Sequence, residues 1–338
     1  MRLFLVRHGE TVDNVAGVAG VRDSELTNHG VKQATRLGEF FRKNDTRFSH
    51  IFSSQLQRAY KTAECIRRAQ ATSRGGEKAR QPLEVRRVPL LVEQDLGFYE
   101  GKKFFERPRV GNKSGKEAHR DRHKNDSGFV DVESKESMAQ RADTFLDQHL
   151  IPLLHSDTEV TQLVAIVTHG IFLTVLWRRL LLRLPSKRVS FAPAIAWATD
   201  AVSLEHLGGW SNTGYLELEL VKSAATPEGA EAASRFQPSD IVAPDTDFQT
   251  LKSATGDEPL PAPPEPEVPE VISKVAYDVS TVPLTSFRNL VGWSLVIHKI
   301  NSRDHVQGLK RTGGGVGSAK YDESQKTIES FFKRKTVN

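Results

Sequence analysis

The chain has 338 residues, of which 38% are hydrophobic and 26% charged, with a formal net charge of +5 and a mean hydropathy of −0.43. This length allows one large or two smaller packed domains, and the modest hydrophobic fraction indicates that part of the chain does not pack. The single cysteine, Cys65, excludes an intramolecular disulfide, and no apolar run is long enough to span a bilayer. We therefore expect a soluble intracellular protein.

The first predicted element is an apolar strand, residues 1–6, which runs directly into Arg7-His8-Gly9. A glycine at this point lets the backbone turn sharply, so both polar residues would lie at the carboxyl edge of a sheet, where open α/β folds bind ligands. Arg7 offers donors suited to a phosphate, and His8 offers a nucleophile or base. The string LVRHGET, with Asn14 following, resembles the signature of the histidine phosphatase superfamily, which includes phosphoglycerate mutases and acid phosphatases.

Two more stretches resemble motifs of the same superfamily. Residues 23–34 fit the pattern D-x-x-L-T-x-x-G-x-x-Q-A and lead into a helix predicted over 31–43. After a short predicted strand, His50–Ser53, the chain resembles S-S-x-L-x-R-A-x-x-T-A, in which the family's arginine at the start of a helix reaches the phosphate. Arg58 holds that place here, and a helix N-terminus favours anions in its own right.

A fourth motif, VEQDLGFYEG, follows a strand predicted at 83–88 and resembles the family's L-x-E-x-x-x-G-x-x-E-G. The resemblance makes Glu93 the general acid. Asp95 and Glu100 are neighbouring carboxylates that could be confused with it, and we expect Glu100 to pin the loop because it abuts the turn glycine Gly101.

The chain then becomes basic, with nine Lys or Arg against three Asp or Glu between residues 102 and 124. We define residues 102–135 as a basic insert. Its charge is typical of a solvated loop, although in related enzymes the equivalent insert covers the pocket and selects the substrate.

A second buried strand, predicted at 163–167, ends in Thr168-His169-Gly170 between helices predicted at 136–150 and 171–182. Two strand ends that each present a histidine indicate a paired site. Strands predicted at 202–207 and 215–221 complete the region, so the resemblance covers residues 1–221. It implies an α/β fold, a three-layer α/β/α sandwich with a mostly parallel central sheet.

The resemblance also implies a mechanism in which His8 is transiently phosphorylated while Glu93 protonates the leaving group and then activates water. The implied catalytic residues are His8, Glu93, His169, Arg7 and Arg58. The implied substrate contacts come from Arg7, Asn14, Arg58, His169 and Gly170. No cofactor and no metal ion is predicted.

The sequence favours a phosphatase over a mutase, because the mutase strings R-L-N-E-R-H-Y-G and R-R-S-Y-x-x-x-P-P are absent. A phosphoglycerate mutase or sugar-bisphosphatase of metabolism stays an alternative. So does a non-catalytic adaptor that binds a phosphorylated ligand or protein. The substrate, a phosphorylated small molecule or a phosphoprotein, is not indicated by any motif.

Beyond the predicted domain (residues 1–222), residues 223–270 contain nine prolines and ten acidic residues against two basic ones. This composition predicts a disordered linker. Residues 271–300 are partly apolar and could add a strand or helix to the domain. Residues 301–338 are predicted to form a flexible basic tail.

That tail contains Gln325, Ile328, Phe331 and Phe332, followed by basic residues, and resembles the PIP box that docks on the sliding clamp PCNA. The three apolar side chains would project together from one helical turn into an apolar groove, while the basic residues suit an acidic clamp. The sequence therefore predicts PCNA as a partner and a nuclear, cytoplasmic or dual location. It predicts no direct contact with nucleic acid or a membrane.

Overall fold

The computed structural model describes residues 1–18, 20, 23–71, 83–101, 120–156, 161–196, 204–222 and 290–322. These all belong to one compact unit, formed by residues 1–225 and 288–338, whereas the second unit, 226–287, lies outside the described residues. The described unit contains a seven-stranded sheet in the order β3-β2-β4-β1-β6-β7-β5. Its strands are β1 (Arg2–Arg7), β2 (His50–Ser53), β3 (Val85–Arg87), β4 (Leu163–Thr168), β5 (Val189–Phe191), β6 (Tyr215–Lys222) and β7 (Trp293–Ser302).

Seven α-helical segments whose two ends both lie within the described ranges connect or flank these strands, and residues 120–123 are helical as well. The seven are α1 (Val12–Ala16), α2 (Asn28–Lys43), α3 (Gln57–Ala71), α4 (Lys135–Phe145), α5 (Ile151–Leu154), α6 (Gly170–Leu181) and α7 (Pro193–Ala196). A π-helical turn, Leu146–Leu150, joins α4 to α5. Thr27 begins α2 as its N-cap, because its hydroxyl accepts a hydrogen bond from the Gly30 N–H at 2.9 Å.

The buried side chains of β1 alternate between the two faces of the sheet and so define the layers. Leu3 and Leu5 pack in a core with α4 and α6, whereas Phe4 and Val6 face the opposite core with α2 and α3, as the two-residue period of a strand requires. Of the six strand pairings, β1–β4, β2–β3, β2–β4 and β5–β7 are parallel, and β1–β6 and β6–β7 are antiparallel. The predicted three-layer α/β fold with a mostly parallel sheet is confirmed.

Most predicted elements form where the residue patterns place them, with ends shifted by one to three residues. The strand predicted at 202–207 is an exception. Residues 204–207 form a turn and irregular chain, and residues 201–203 lie outside the described ranges.

Of the basic insert, residues 120–135 are described, and they pack on the 3-10 turn Gly97–Tyr99, where the Phe98 N–H donates to the carbonyl of Val130 at 2.8 Å.

The C-terminal part differs from the expectation of a flexible tail. Strand β7 (Trp293–Ser302) lies between β6 and β5, with Leu295 and Ile297 fully buried, whereas residues 271–289 lie outside the described ranges. The chain then continues to residue 322 along the N-terminal end of α2, where Tyr321 N–H donates to Leu26 and Asn28 N–H donates to Ala319, both at 3.0 Å. Backbone hydrogen bonds make these contacts, so the Gly-rich sequence carries no apolar pattern that predicts them.

Residues 323–338 lie outside the described residues, and with them the predicted PIP box, 325–332. No described helix is both long enough and apolar enough to traverse a lipid bilayer.

Candidate active site

The two histidines that follow β1 and β4 lie side by side. The strands are parallel neighbours with Arg7 opposite Thr168, so both chains leave the sheet at the same edge. The imidazole centroids of His8 and His169 are 5.1 Å apart, and the two residues are only 4% and 0% exposed. The paired architecture expected from the sequence brings both rings into one buried site.

The orientation of His8 determines which ring nitrogen can react. Its Nδ1 lies 2.7 Å from the carbonyl oxygen of Gly9, and since a carbonyl only accepts hydrogen bonds, Nδ1 carries the proton. The lone pair is therefore on Nε2. Burial, and then the positive charges of Arg58 and Arg7, hold the pKa of His8 well below its usual 6.5. His8 is thus a neutral imidazole with Nε2 available for attack.

His169 is held in a defined tautomer by Arg58 and Ser54. Arg58 Nε donates to Nδ1 of His169 across 3.2 Å, which leaves the proton of His169 on Nε2, 2.9 Å from the Ser54 hydroxyl. Burial, followed by the charge of Arg58, holds the pKa of His169 well below 6.5. The Ser54 hydroxyl is therefore the acceptor of the Nε2–H of His169 in the structure.

The two arginines supply buried positive charge. Arg58, the second residue of α3, is 4% exposed and also donates from Nη2 to the Gly20 carbonyl at 3.1 Å. Arg7 Nη1 donates to the Trp210 carbonyl, whereas its Nε is buried without a hydrogen-bond partner among the described residues. A buried donor without a partner is costly, and an anion in the site would satisfy it. Burial lowers the pKa of both guanidinium groups.

The Glu93 side chain reaches from its own loop to the N-terminus of α6, the helix that follows His169. Its carboxylate accepts hydrogen bonds from the backbone N–H groups of Phe172 at 3.0 Å and Ile171 at 3.2 Å, in the first turn of α6. Its charge raises the pKa of both Arg7 and Arg58 against the larger effect of burial. Glu93 is therefore the carboxylate of its loop whose charge acts on both arginines, while Glu100 acts on Arg58 as well.

The other two carboxylates of this loop hold its backbone. Asp95 Oδ1 accepts from the Gly97 N–H at 2.7 Å, and Glu100 Oε1 accepts from the Leu96 N–H at 2.8 Å. The loop itself is fixed by Arg141, which donates to the carbonyls of Leu90 at 2.7 Å and Val92 at 3.1 Å. These contacts place Glu93 and leave the loop little freedom.

Asn14 is anchored beside the His8 loop. Its Oδ1 accepts from the Thr11 N–H at 3.2 Å and from Asn212 Nδ2 at 3.1 Å, so the amide NH₂ is the end left to donate to a ligand. Asn212 Nδ2 also donates to the His8 carbonyl at 3.2 Å. At Gly170, an added Cβ would lie 3.6 Å from Arg7 Nε, which places this residue against the same guanidinium.

The structure thus brings together the residues predicted for catalysis and substrate binding: Arg7, His8, Asn14, Arg58, Glu93, His169 and Gly170. Sequence reasoning did not single out Ser54 or Asn212, although the Ser-Ser pair that ends β2 is part of the motif around Arg58. The predicted clamp-binding residues lie outside the described chain. Within the described ranges, no cluster of three or more His, Cys, Asp or Glu side chains is arranged to hold a metal ion.

Comparison with known families gives one match that covers most of the folded region. The family model described as the histidine phosphatase superfamily, branch 1, matches residues 3–200.

Among curated proteins, the chain is 34% identical over 182 residues to a probable phosphatase of Schizosaccharomyces pombe, which covers 53% of this chain and 56% of that protein. It is 32% identical over 115 residues to a probable fructose-2,6-bisphosphatase of Danio rerio (33% and 41%) and 38% identical over 104 residues to a probable phosphoglycerate mutase of Klebsiella pneumoniae (29% and 47%). The chain spans about half the length of the curated relatives it matches.

Among solved structures, a mycobacterial glucosyl-3-phosphoglycerate phosphatase is similar, with a TM-score of 0.44 and 24% sequence identity over 65% of this chain and 92% of that one.

Proposed function

The chain belongs to the histidine phosphatase superfamily, branch 1, and on this basis we propose that it is a metal-independent phosphomonoesterase that acts through a phosphohistidine at His8. The observation that carries the proposal is the fixed tautomer of His8, whose Nδ1–H is held by the Gly9 carbonyl while Nε2 keeps its lone pair. A probable phosphatase among the relatives supports the same reaction class.

In the first step, His8 Nε2 attacks phosphorus as the bond from phosphorus to the ester oxygen breaks. A phosphomonoester dianion repels nucleophiles, so its oxygens must be neutralised in the site. The guanidinium groups of Arg7 and Arg58 supply this charge, and Asn14 adds a neutral donor. Glu93, protonated beside the incoming dianion, gives its proton to the departing alkoxide. The phosphorylated ring gains positive charge, which the Gly9 carbonyl stabilises at Nδ1–H.

In the second step, the Glu93 carboxylate takes a proton from water as the water oxygen attacks phosphorus and the bond from phosphorus to Nε2 breaks. Inorganic phosphate leaves, His8 returns to its neutral form and Glu93 is again protonated. His169 donates its Nε2–H to a phosphoryl oxygen in place of the Ser54 hydroxyl. Besides the substrate, the two steps of the cycle therefore use only residues of this chain and one water molecule.

Turnover of p-nitrophenyl phosphate in the presence of EDTA tests this mechanism. We expect the wild-type protein to hydrolyse it and to carry acid-labile, alkali-stable phosphate after rapid quenching, and His8→Ala to do neither. The matched control is His50→Ala, which removes a histidine at the opposite end of the sheet, where β2 begins. Activity that His8→Ala retains, or that EDTA abolishes, would overturn the proposal.

The same assay separates the two alternative functions. A non-catalytic adaptor would bind phosphate or a phosphorylated ligand without turning it over. A mutase would transfer the phosphoryl group between positions of a phosphoglycerate faster than it releases inorganic phosphate. The relative named a probable phosphoglycerate mutase keeps that second assay necessary, and a panel of phosphorylated small molecules and phosphopeptides would identify the substrate class.

We also propose that residues 325–332 tether the enzyme to the sliding clamp PCNA, which implies a nuclear or a shared nuclear and cytoplasmic location. Gln325, Ile328, Phe331 and Phe332 have the spacing of a PIP box, and basic residues follow them. Clamp pull-down tests the tether. Phe331→Ala/Phe332→Ala should abolish binding, while Lys326→Ala, within the same segment, should retain it. Equal binding by both variants would contradict the tether.

A further inference from the structure

Residues 301–322 include the last two residues of β7 and the chain that follows them. This segment lies beyond the family match at 3–200, yet it contacts the backbone around His8 from two sides. Its start is fixed to the sheet, because β7 pairs with β6 on one side and β5 on the other. Because its start is fixed in this way, the segment takes a defined path beside the site.

The first contact is made by Asn301, the second-to-last residue of strand β7. Its Oδ1 accepts from the Ser211 N–H at 2.9 Å, and its Nδ2 donates to the Ser211 hydroxyl at 3.1 Å. An added Cβ on Gly214 would lie 2.1 Å from Asn301 Oδ1, so the two segments are in close approach. Asn301 therefore fixes the turn 211–214.

That turn holds the end of β1 in place. The Thr213 N–H lies 3.1 Å from the Arg7 carbonyl and 3.2 Å from the His8 carbonyl, and the Gly214 carbonyl accepts from the Arg7 N–H at 3.1 Å. The turn thus sets the backbone of both the nucleophile and its neighbouring arginine.

His305 supports the same turn at its strained residue. Thr213 is β-branched and has a φ of +56°, a conformation that is unfavourable for such a side chain. Its hydroxyl donates to the Asn212 carbonyl at 2.7 Å and so accepts from Nε2–H of His305 at 2.8 Å. His305 is 6% exposed, so this hydrogen bond is shielded from water.

Arg311 makes the contact on the second side of the His8 loop. Both of its terminal nitrogens bind the carboxylate of Glu10, which also accepts from the Thr27 hydroxyl at 2.8 Å. Glu10 is 9% exposed and lies two residues after His8, directly after the Gly9 carbonyl that fixes the His8 tautomer. A buried carboxylate that loses one of its main donors is costly, so Arg311 restrains the loop that orients His8.

We propose that residues 301–322 are an integral part of the catalytic centre, in which Asn301, His305 and Arg311 are positioning residues for His8. This inference rests on the proposed phosphatase function for its kinetic readout and goes beyond it by assigning a role to a segment that the family match does not include. Arg311 is the residue to test first, because it is partly exposed and its removal does not open the core.

The experiment compares Arg311→Ala and Arg311→Lys with Lys310→Ala, the adjacent exposed basic residue. With p-nitrophenyl phosphate we expect Arg311→Ala to lower kcat about tenfold or more while KM changes less than threefold. Arg311→Lys should recover part of the loss, since lysine provides charge without the bidentate geometry. Millimolar methylguanidinium should restore part of the activity of Arg311→Ala and leave the wild type unchanged. A purely structural loss would not respond to it.

A second readout does not depend on turnover. In protein labelled with ¹⁵N at histidine, the Nδ1 and Nε2 resonances of His8 should shift in Arg311→Ala and remain in place in Lys310→Ala. Unchanged His8 resonances, or an unchanged kcat in an active protein, would overturn the inference. A wild-type protein without turnover but with a shifted His8 signal in Arg311→Ala would overturn the proposed function and leave the positioning role supported.

Discussion

Arg58 Nε lies 3.2 Å from Nδ1 of His169 and thereby decides which nitrogen of that imidazole carries its proton. The same guanidinium is the largest charge effect on His8, whose pKa it lowers further after burial has already done so. One arginine at the start of α3 thus fixes the tautomer of His169 and adds to the effect of burial on the pKa of His8, so its removal should be visible in the pH dependence.

The first prediction concerns that pH dependence. Because the pKa of His8 lies well below 6.5, its nucleophilic form persists as the pH falls through 6.5, and the acid limb of the kcat/KM profile should lie below that value. Arg58→Gln removes a positive charge, so the pKa of His8 should rise and the limb should move to higher pH, with kcat/KM lowered about 10²–10³-fold. Arg47→Gln, at the surface, is the control. An NMR titration of the His8 ring checks the assignment, and a limb that does not move would contradict it.

The second prediction separates the two roles of Glu93. Glu93→Gln cannot protonate a leaving alkoxide or activate water, so kcat for an alkyl phosphate should fall about 10²–10⁴-fold. p-Nitrophenolate needs no acid to leave, so this substrate should still phosphorylate His8, and the phosphohistidine should accumulate because its hydrolysis is slow. Rapid quenching measures the phosphoenzyme. Asp95→Asn, which alters a carboxylate of the same loop, should not accumulate it, and equal accumulation in both variants would rule out this role for Glu93.

The third prediction tests the close packing behind the His8 loop. A Cβ on Gly30 would lie 2.0 Å from the carbonyl oxygen of Glu10, and because both partners are backbone, no side chain can rotate away. Gly30→Ala should lower the free energy of unfolding by about 1–3 kcal/mol and reduce kcat. Gly313→Ala, where a Cβ meets nothing within 4 Å, should change it by less than about 0.5 kcal/mol. Denaturant unfolding of the two variants measures the difference, and similar values would contradict the packing argument.

The fourth prediction concerns stability in acid. Burial lowers the pKa of His305 from 6.5 to about 4, against a smaller opposite effect of Asp304. As the pH falls from about 6.5 to 4, the unfolded chain takes up a proton that the folded chain does not, so the free energy of unfolding decreases, by about 3 kcal/mol at most from this residue.

His305→Gln should remove that part of the pH dependence, although the protein will be less stable at neutral pH because Gln replaces the ring packed on Phe40 and Tyr215. His206→Gln, at an exposed position, should leave the slope unchanged. Urea unfolding between pH 4 and 7 measures the slope, and an unaltered slope in His305→Gln would refute the assignment.

Much of the candidate site was readable from local sequence. An apolar run that ends in Arg7-His8-Gly9, and a second that ends in Thr168-His169-Gly170, predict two strands whose polar residues share one edge. The helix pattern after Ser54 likewise places Arg58 in a first turn. These features are local, since they depend on the two-residue period of strands and on where helices begin.

The residue pattern by itself therefore predicted two strands that carry Arg7, His8 and His169 to one edge of a sheet. The three-layer order and the remaining candidate residues came from the resemblance to the histidine phosphatase superfamily. Only the tertiary structure decided the tautomers of His8 and His169, because each depends on one partner atom: the carbonyl oxygen of the adjacent Gly9 for His8, and Nε of Arg58, 111 residues away in the chain, for His169. It also decided that the charge of Glu93 acts on both Arg7 and Arg58, whereas that of Glu100 acts on Arg58. The sequence shows only neighbouring carboxylates without this difference.

The docking of residues 301–322 was decided in the same way. It depends on backbone hydrogen bonds, on the side-chain contacts of Asn301 and His305, and on the pairing of Arg311 with Glu10. The last two residues are about 300 positions apart in the sequence. Such contacts have no periodicity, so a glycine-rich basic stretch resembles a free tail until the strand before it is placed in the sheet.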